Sequence, residues 1–201
     1  MVSMLYDLEY SFKIPRKVQA VIDKYYPTGT LAHKYFFIHS VKVTELALKI
    51  AEHNPQLNPN IKFILKGAML HDIGIIKTNA PDIGCTGKHR YICHTYLGRE
   101  ILEKEGFAKI ARVCETHIGV GLSKKDIIKS NFPLPHRDML PKSVEEKIIC
   151  YADKFYSKSE KHLLIPKPED KIRKKVLKYG NSKLKRFEDF VEMFGIDYVY
   201  G

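Results

Sequence analysis

Apolar residues recur at helical spacing along nearly the whole chain, and nowhere do apolar and polar residues alternate over the length of a strand. Val41, Leu46, Ala47, Ile50 and Ala51 trace one stripe, closed by Asn54-Pro55. Ile61, Ile64, Leu65, Ala68 and Met69 trace the next; Asn58-Pro59 is its start signal, and Gly74 ends it just past His71-Asp72. The pattern also predicts a first helix over Ser11 to Tyr26, stopped by Pro27-Thr28-Gly29, and helices from Ile92 to Glu105 and from Phe107 to His117. A short helix is expected from a Ser123 cap. Ser143 with Glu146 three residues on is a capping box that opens a helix through Val144, Ile148, Ile149, Ala152 and Tyr156. Past Ile165-Pro166, two amphipathic helices are expected, parted near Gly180-Asn181. The expected fold class is all-α, a compact helical bundle.

Two stretches resist this pattern. Residues 75 to 90 carry Pro81, Gly84 and Gly87 and read as a long loop, and loops of that length in a compact domain usually serve function. Residues 131 to 142 hold three prolines and are expected to be irregular. With 201 residues, no internal repeat and no linker composition, the chain reads as one domain. A chain of this length buries roughly 70% of its unfolded surface, enough for a core without covalent staples.

Several function classes fall away. No apolar run approaches the ~20 residues that span a bilayer, and MVSMLYDLEY has neither the basic start nor the apolar core of a signal peptide. Cys85, Cys93, Cys114 and Cys150 form no C-x-x-C pair, so they are expected to be reduced thiols in a cytoplasmic protein. The net charge of +11 is uneven. Between Lys154 and Arg186, twelve Lys or Arg face three acids, which leaves only +2 on the rest of the chain. Such a segment is either a solvated helix face or a surface that attracts polyanions.

Six residues carry the chemistry because each is polar on an apolar stripe. His39 shares a face with Val43, Leu46 and Ile50; His71 and Asp72 follow the stripe that ends at Ala68 and Met69. His94 lies with Leu97, Ile101 and Leu102, His117 with Ile110, Val113 and Cys114, and Asp153 with Ile149 and Tyr156. A single buried histidine is ordinarily a core residue with one hydrogen bond. Two buried aspartates with no arginine on the matching stripes are costlier, by several kcal/mol each, unless a charge or a metal compensates them. Four imidazoles and two carboxylates directed inward from several helices are the donor set of a metal centre in a bundle.

The order His39, His71-Asp72-Ile73-Gly74, Asp153 resembles the HD superfamily of metal-dependent phosphohydrolases, in the branch with HDIG at its second motif. The segments THIGVGLSKKDI and LPHRDMLPKSVEEKIICYADKF are similar to predicted phosphohydrolases of that superfamily, and the likeness covers residues from about 35 to 160, with basic helices over 166–195 packed on that core. The resemblance implies that His39, His71, Asp72 and Asp153 hold a first metal and that Asp72 bridges to a second held by His94 and His117. Two divalent ions are expected, Fe or Mn foremost, with Mg, Co, Ni and Zn also suited to imidazole and carboxylate. Water activated by the metals, rather than a side chain, would be the nucleophile. No nucleophile elbow, phosphate-binding P-loop or dinucleotide fingerprint is present.

The implied activity is hydrolysis of a phosphoester or phosphoanhydride in a nucleotide or other small phosphorylated metabolite. Asp72 and Lys77 are the candidate catalytic residues, and Lys77, Arg90, Lys124, Arg137 and Lys154 the candidate phosphate contacts. The superfamily's lysine directly after HDIG is replaced here by Ile75. His89 and His136 are expected on loops as non-ligands, and His33, His53 and His162 at the surface. Two other readings stay open: a di-iron oxygenase on the same ligand set, and a non-enzymatic nucleic-acid binding module that uses the basic segment. No membrane partner is expected.

Overall fold

The computed structural model describes residues 8–200; the first seven residues of the stretch examined for a signal peptide lie outside them. Among the described residues, ten α-helices form, the longest of them at the centre. α1 (Arg16–Tyr25) is followed by α2 (Leu31–His53), whose Thr30 cap accepts from the His33 amide at 3.1 Å. α3 (Ile61–Leu70) is capped by Asn60, which accepts from the Phe63 amide. α4 (His94–Lys104) and α5 (Ala108–Thr116) form an antiparallel pair, and α6 (Lys124–Lys129) and α7 (Val144–Phe155) each begin in a complete capping box, at Ser123 and Ser143. α8 (Glu160–Leu163), α9 (Glu169–Leu177) and α10 (Asn181–Phe194) complete the chain.

α2 packs on α3 and α7, α4 on α5 and on the short 3-10 turn Ile73–Lys77, and α9 on α10. Two large apolar clusters fill most of the interior, beside two small ones around Ile38 and Met139. One joins α2, α3 and α7 to the C-terminal helices around Tyr151, whose ring lies 5.0 Å from Phe155 and 5.7 Å from Phe194. The other joins α1, α2, α3, α4 and α5 around Tyr26 stacked on Phe36, centroids 4.0 Å apart. The burial of Ile172, Val176, Phe187 and Phe194 places α9 and α10 against α7 within this chain.

The all-α expectation holds, with two-residue strands β1 (Asn79–Ala80) and β2 (Cys85–Thr86) making a small hairpin inside the expected loop. α1 begins five residues later than its spacing suggests. Pro15 is its N-cap, and the residue before a proline is driven out of the helical region, so Phe12 and Ile14 reach the second cluster from extended chain. The expected end of α3 at Gly74 is also revised. The helix stops at Leu70, and Gly74 is required for close approach: a Cβ there would lie 2.2 Å from the His94 carbonyl oxygen. His33 and His162 are buried, not at the surface; His33 stacks on Phe37, and His162 faces the Lys171 amine at 3.0 Å. His53, His89 and His136 are exposed, and all four cysteines are free thiols.

Candidate metal centre

Five helices deliver six side chains to one buried point. His39 comes from the middle of α2, His71 from the C-cap of α3, and Asp72 from the residue after it. His94 opens α4, His117 is the C-cap of α5, and Asp153 lies in the last turn of α7. Their ligand atoms fall into two sets, His39, His71, Asp72 and Asp153 in one and Asp72, His94 and His117 in the other, each within 4.8 Å. Asp72 belongs to both. Its Oδ2 faces His39 Nε2 at 3.2 Å and His71 Nε2 at 3.1 Å; its Oδ1 faces His94 and His117 Nε2, both at 3.3 Å.

The backbone sets the tautomer of three rings. His71 Nδ1 donates to the Ala68 carbonyl at 2.6 Å, His94 Nδ1 to Tyr91 at 2.6 Å and His117 Nδ1 to Val113 at 3.2 Å. A carbonyl only accepts, so Nδ1 carries a proton and each ring turns its Nε2, the nitrogen left to ligate, inward. Nε2 of His94 and Nε2 of His117 meet at 3.1 Å. Two ring nitrogens held at this distance suit a shared cation, and ~3 Å is the edge of an octahedron whose ligands lie ~2.1 Å from its centre. The donor set fits a divalent metal.

Electrostatics separates the two sets. Burial alone would raise Asp72, but the Lys158 ammonium and the imidazoles around it hold its carboxyl well below the usual range. Asp153 is held low in the same way by Lys154 and by His39 and His71. Burial depresses His71, yet the two carboxylates outweigh it and lift the ring to about 9. Burial prevails at His94, which falls to about 4. The first set therefore carries two carboxylates, and the second has only the Asp72 carboxylate it shares with the first.

Sequence reasoning left both carboxylates without a counter-charge; the structure supplies a lysine to each. Lys154 Nζ lies 2.8 Å from Asp153 Oδ2 and donates to the His117 carbonyl at 2.8 Å. Lys158 pairs with Asp72 Oδ2, its side chain only 10% exposed. The four inward imidazoles, rather than unpaired acids, therefore carry the case for a metal. Lys158 gave no signal in the sequence, because it lies beyond the end of α7 and on no stripe. Tyr26 was missed as well: its hydroxyl donates to the Ile73 carbonyl at 3.2 Å and accepts from the Ile76 amide at 2.9 Å, which pins the turn that carries Asp72.

The other expected phosphate contacts are not gathered here in the same way. Arg137 pairs with Glu115, which also holds Arg99 at 2.8 Å. Lys77, Arg90 and Lys124 are exposed, at the end of the 3-10 turn, before His94 and at the start of α6 respectively. Lys154, expected to meet substrate, is committed to Asp153 and to the turn after α5. Much of the basic segment also turns inward: Lys154, Lys158, Lys167, Arg173, Lys183 and Arg186 all bond carboxylates or backbone carbonyls of the fold. The anionic attraction inferred from twelve cations is correspondingly smaller.

Residues 36–157, which include all six of the inward histidines and aspartates, match the family model of the HD domain. The chain belongs to the HD domain family. It is 29% identical over 180 residues to a Thermoplasma volcanium protein named tRNA (cytidine(56)-2'-O)-methyltransferase, a match covering 89% of this chain and 48% of that protein. A Picrophilus torridus protein of the same name is 29% identical over 152 residues, 75% of this chain and 40% of its own length. The uncharacterized protein MJ0778 of Methanocaldococcus jannaschii is 36% identical over 118 residues, 57% of this chain and 62% of that protein. The chain thus spans about half the length of the curated relatives it matches. No solved structure matches it. Among the described residues, no helix is long and apolar enough to cross a membrane.

Proposed function

We propose that this HD domain is a metal-dependent phosphohydrolase that cleaves a phosphoester or phosphoanhydride of a nucleotide or another small phosphorylated metabolite in the cytoplasm. One observation carries the reading: Asp72 stands between two imidazole pairs and offers one carboxylate oxygen to each. His39, His71, Asp72 and Asp153 would hold one divalent ion and Asp72, His94 and His117 another. Held there, such a pair supplies Lewis acidity toward a phosphoryl oxygen and a water acidic enough to react near neutral pH. The chain itself does the positioning. The Ala68, Tyr91 and Val113 carbonyls orient the rings, Tyr26 fixes the Asp72 turn, and Lys154 ties Asp153 to the end of α5.

The names of two relatives favour a second substrate class, a phosphate on RNA. A stretch similar to this chain makes up 48% and 40% of proteins named for a tRNA-modifying reaction. A cluster of histidines and carboxylates is no site for a methyl donor, so we assign the methyl transfer to the part of those proteins that this chain does not match. The test is phosphate release from protein stripped with chelator and reloaded with Mn²⁺ or Fe²⁺. Nucleoside mono-, di- and triphosphates are offered beside transfer RNA carrying a terminal phosphate. Metal-dependent release that is lost in Asp72→Ala supports hydrolysis; metal uptake with oxygen consumption and no phosphate release refutes it.

A further inference from the structure

We propose that Lys158 grips the substrate's phosphoryl group, and that in the metal-free protein the same ammonium substitutes for the first cation on Asp72. The proposal rests on the phosphohydrolase reading. Lys158 sits in the turn between α7 and α8, which is held in place by the Ser157 amide on the His162 carbonyl at 2.8 Å and by the Lys167 amide on Phe155. From there its side chain runs inward to Asp72 Oδ2, the oxygen that also faces His39 and His71.

A divalent ion between those two imidazoles and Asp72 would place a second positive charge against the ammonium. Like charges in a buried site repel strongly, so both cannot hold the same oxygen. Lysine has a flexible four-carbon stem and no planar fork to lock it, so it can withdraw a short way. What it then meets is the substrate's anionic group. Tyr91 marks that direction. Its phenol faces Lys158, its ring lies 4.9 Å from that of His94, and 43% of the residue is open to solvent. Ammonium and phenol together make a donor pair beside the centre. Lys154 cannot take this part, because the His117 carbonyl and Asp153 already hold its amine.

The test uses full-length protein and two probes, Mn²⁺ and inorganic phosphate, with binding measured by calorimetry. In Lys158→Met the chelator-stripped protein should melt lower and bind Mn²⁺ about tenfold more tightly, because the competitor for Asp72 is gone. The Mn²⁺-loaded variant should bind phosphate about tenfold more weakly. Unchanged or weaker Mn²⁺ affinity in Lys158→Met, or unchanged phosphate affinity, overturns the role of Lys158 and leaves the phosphohydrolase reading intact. Wild-type protein that takes up no Mn²⁺ overturns both. A measurement without any variant covers a failure of Lys158→Met to fold. With lysine Nζ labelled by ¹⁵N, titrating wild-type protein with diamagnetic Zn²⁺ should shift the Lys158 resonance, and a resonance that stays in place refutes the displacement.

Discussion

His94 and His117 face each other nitrogen to nitrogen at 3.1 Å, and the other nitrogen of each ring is hydrogen-bonded to a carbonyl one turn back on its own stretch of chain. Neither ring can satisfy the other. That pair and the pair formed by His39 and His71 meet on opposite oxygens of Asp72, so the two sets should empty separately under mutation.

His94→Ala and His117→Ala should each lose the second ion and keep the first, since His39, His71, Asp72 and Asp153 remain. Asp72→Ala should lose both. It should also cost about 3 kcal/mol or more in the metal-free protein, because Lys158 is left as a buried charge without its partner. Elemental analysis per chain and urea unfolding read the two effects. Full metal content in Asp72→Ala would contradict the assignment. His136→Ala and Cys114→Ser should leave metal content unchanged.

Tyr26→Phe keeps the ring on Phe36 but removes the hydroxyl that the Ile73 carbonyl and Ile76 amide share. Two buried backbone groups lose their partner, at about 1–3 kcal/mol. Metal affinity should fall with stability, because the loosened turn is the one that aims Asp72. A titration showing native affinity in a destabilised Tyr26→Phe would separate the turn from the site.

Gly74→Ala is expected to be the most damaging single-methyl change near the centre. The added Cβ would lie 2.2 Å from the His94 carbonyl oxygen and 2.5 Å from the Gly98 nitrogen, both backbone atoms of α4. The cost should reach about 3 kcal/mol, the upper range of overpacking, and displace His94 from its partner. Thermal melting with and without Mn²⁺ measures it, and a variant that gains full metal-induced stabilisation would exclude the displacement.

The Asp126 carboxylate links α6 to Lys183 of α10 and supports a pH prediction. Burial pushes Asp126 up, but hydrogen bonds from Lys183 and Ser123 outweigh it and bring the group down to about 2. A folded-state value below the unfolded one means that the unfolded chain binds the proton more readily, so stability falls as the solution is acidified. The contribution is complete above about pH 4 and is lost as pH drops through about 2. The side chain is 29% exposed, so solvent screening leaves about 1 kcal/mol. Asp126→Asn should flatten that part of the acid unfolding curve; an unchanged curve would place the acid sensitivity elsewhere.

Signals carried within one turn of chain were read correctly from the sequence. The capping boxes at Ser123 and Ser143 are local hydrogen bonds, and the breaks at Gly180 and in the proline-rich 131–142 stretch are local backbone constraints. The errors arose where tertiary packing overrides pattern. α2 is buried on nearly every side, so its first turns show no stripe, and His33 looked like a surface residue. Ser11 to Ile14 has helical spacing but is a non-helical lead-in to Pro15.

The sequence by itself determined that the six candidate ligands turn inward, because periodicity along a helix assigns each residue a face. Four histidines and two aspartates were therefore identifiable as one constellation before any contact was known. Only the tertiary structure decided how their charge is balanced. His39 meets Asp153 across 114 residues of chain, and Lys158 meets Asp72 across 86. No periodicity spans such separations. A lysine outside every stripe becomes the counter-ion of the central carboxylate because the packing of α2, α3 and α7 brings the turn after α7 over Asp72.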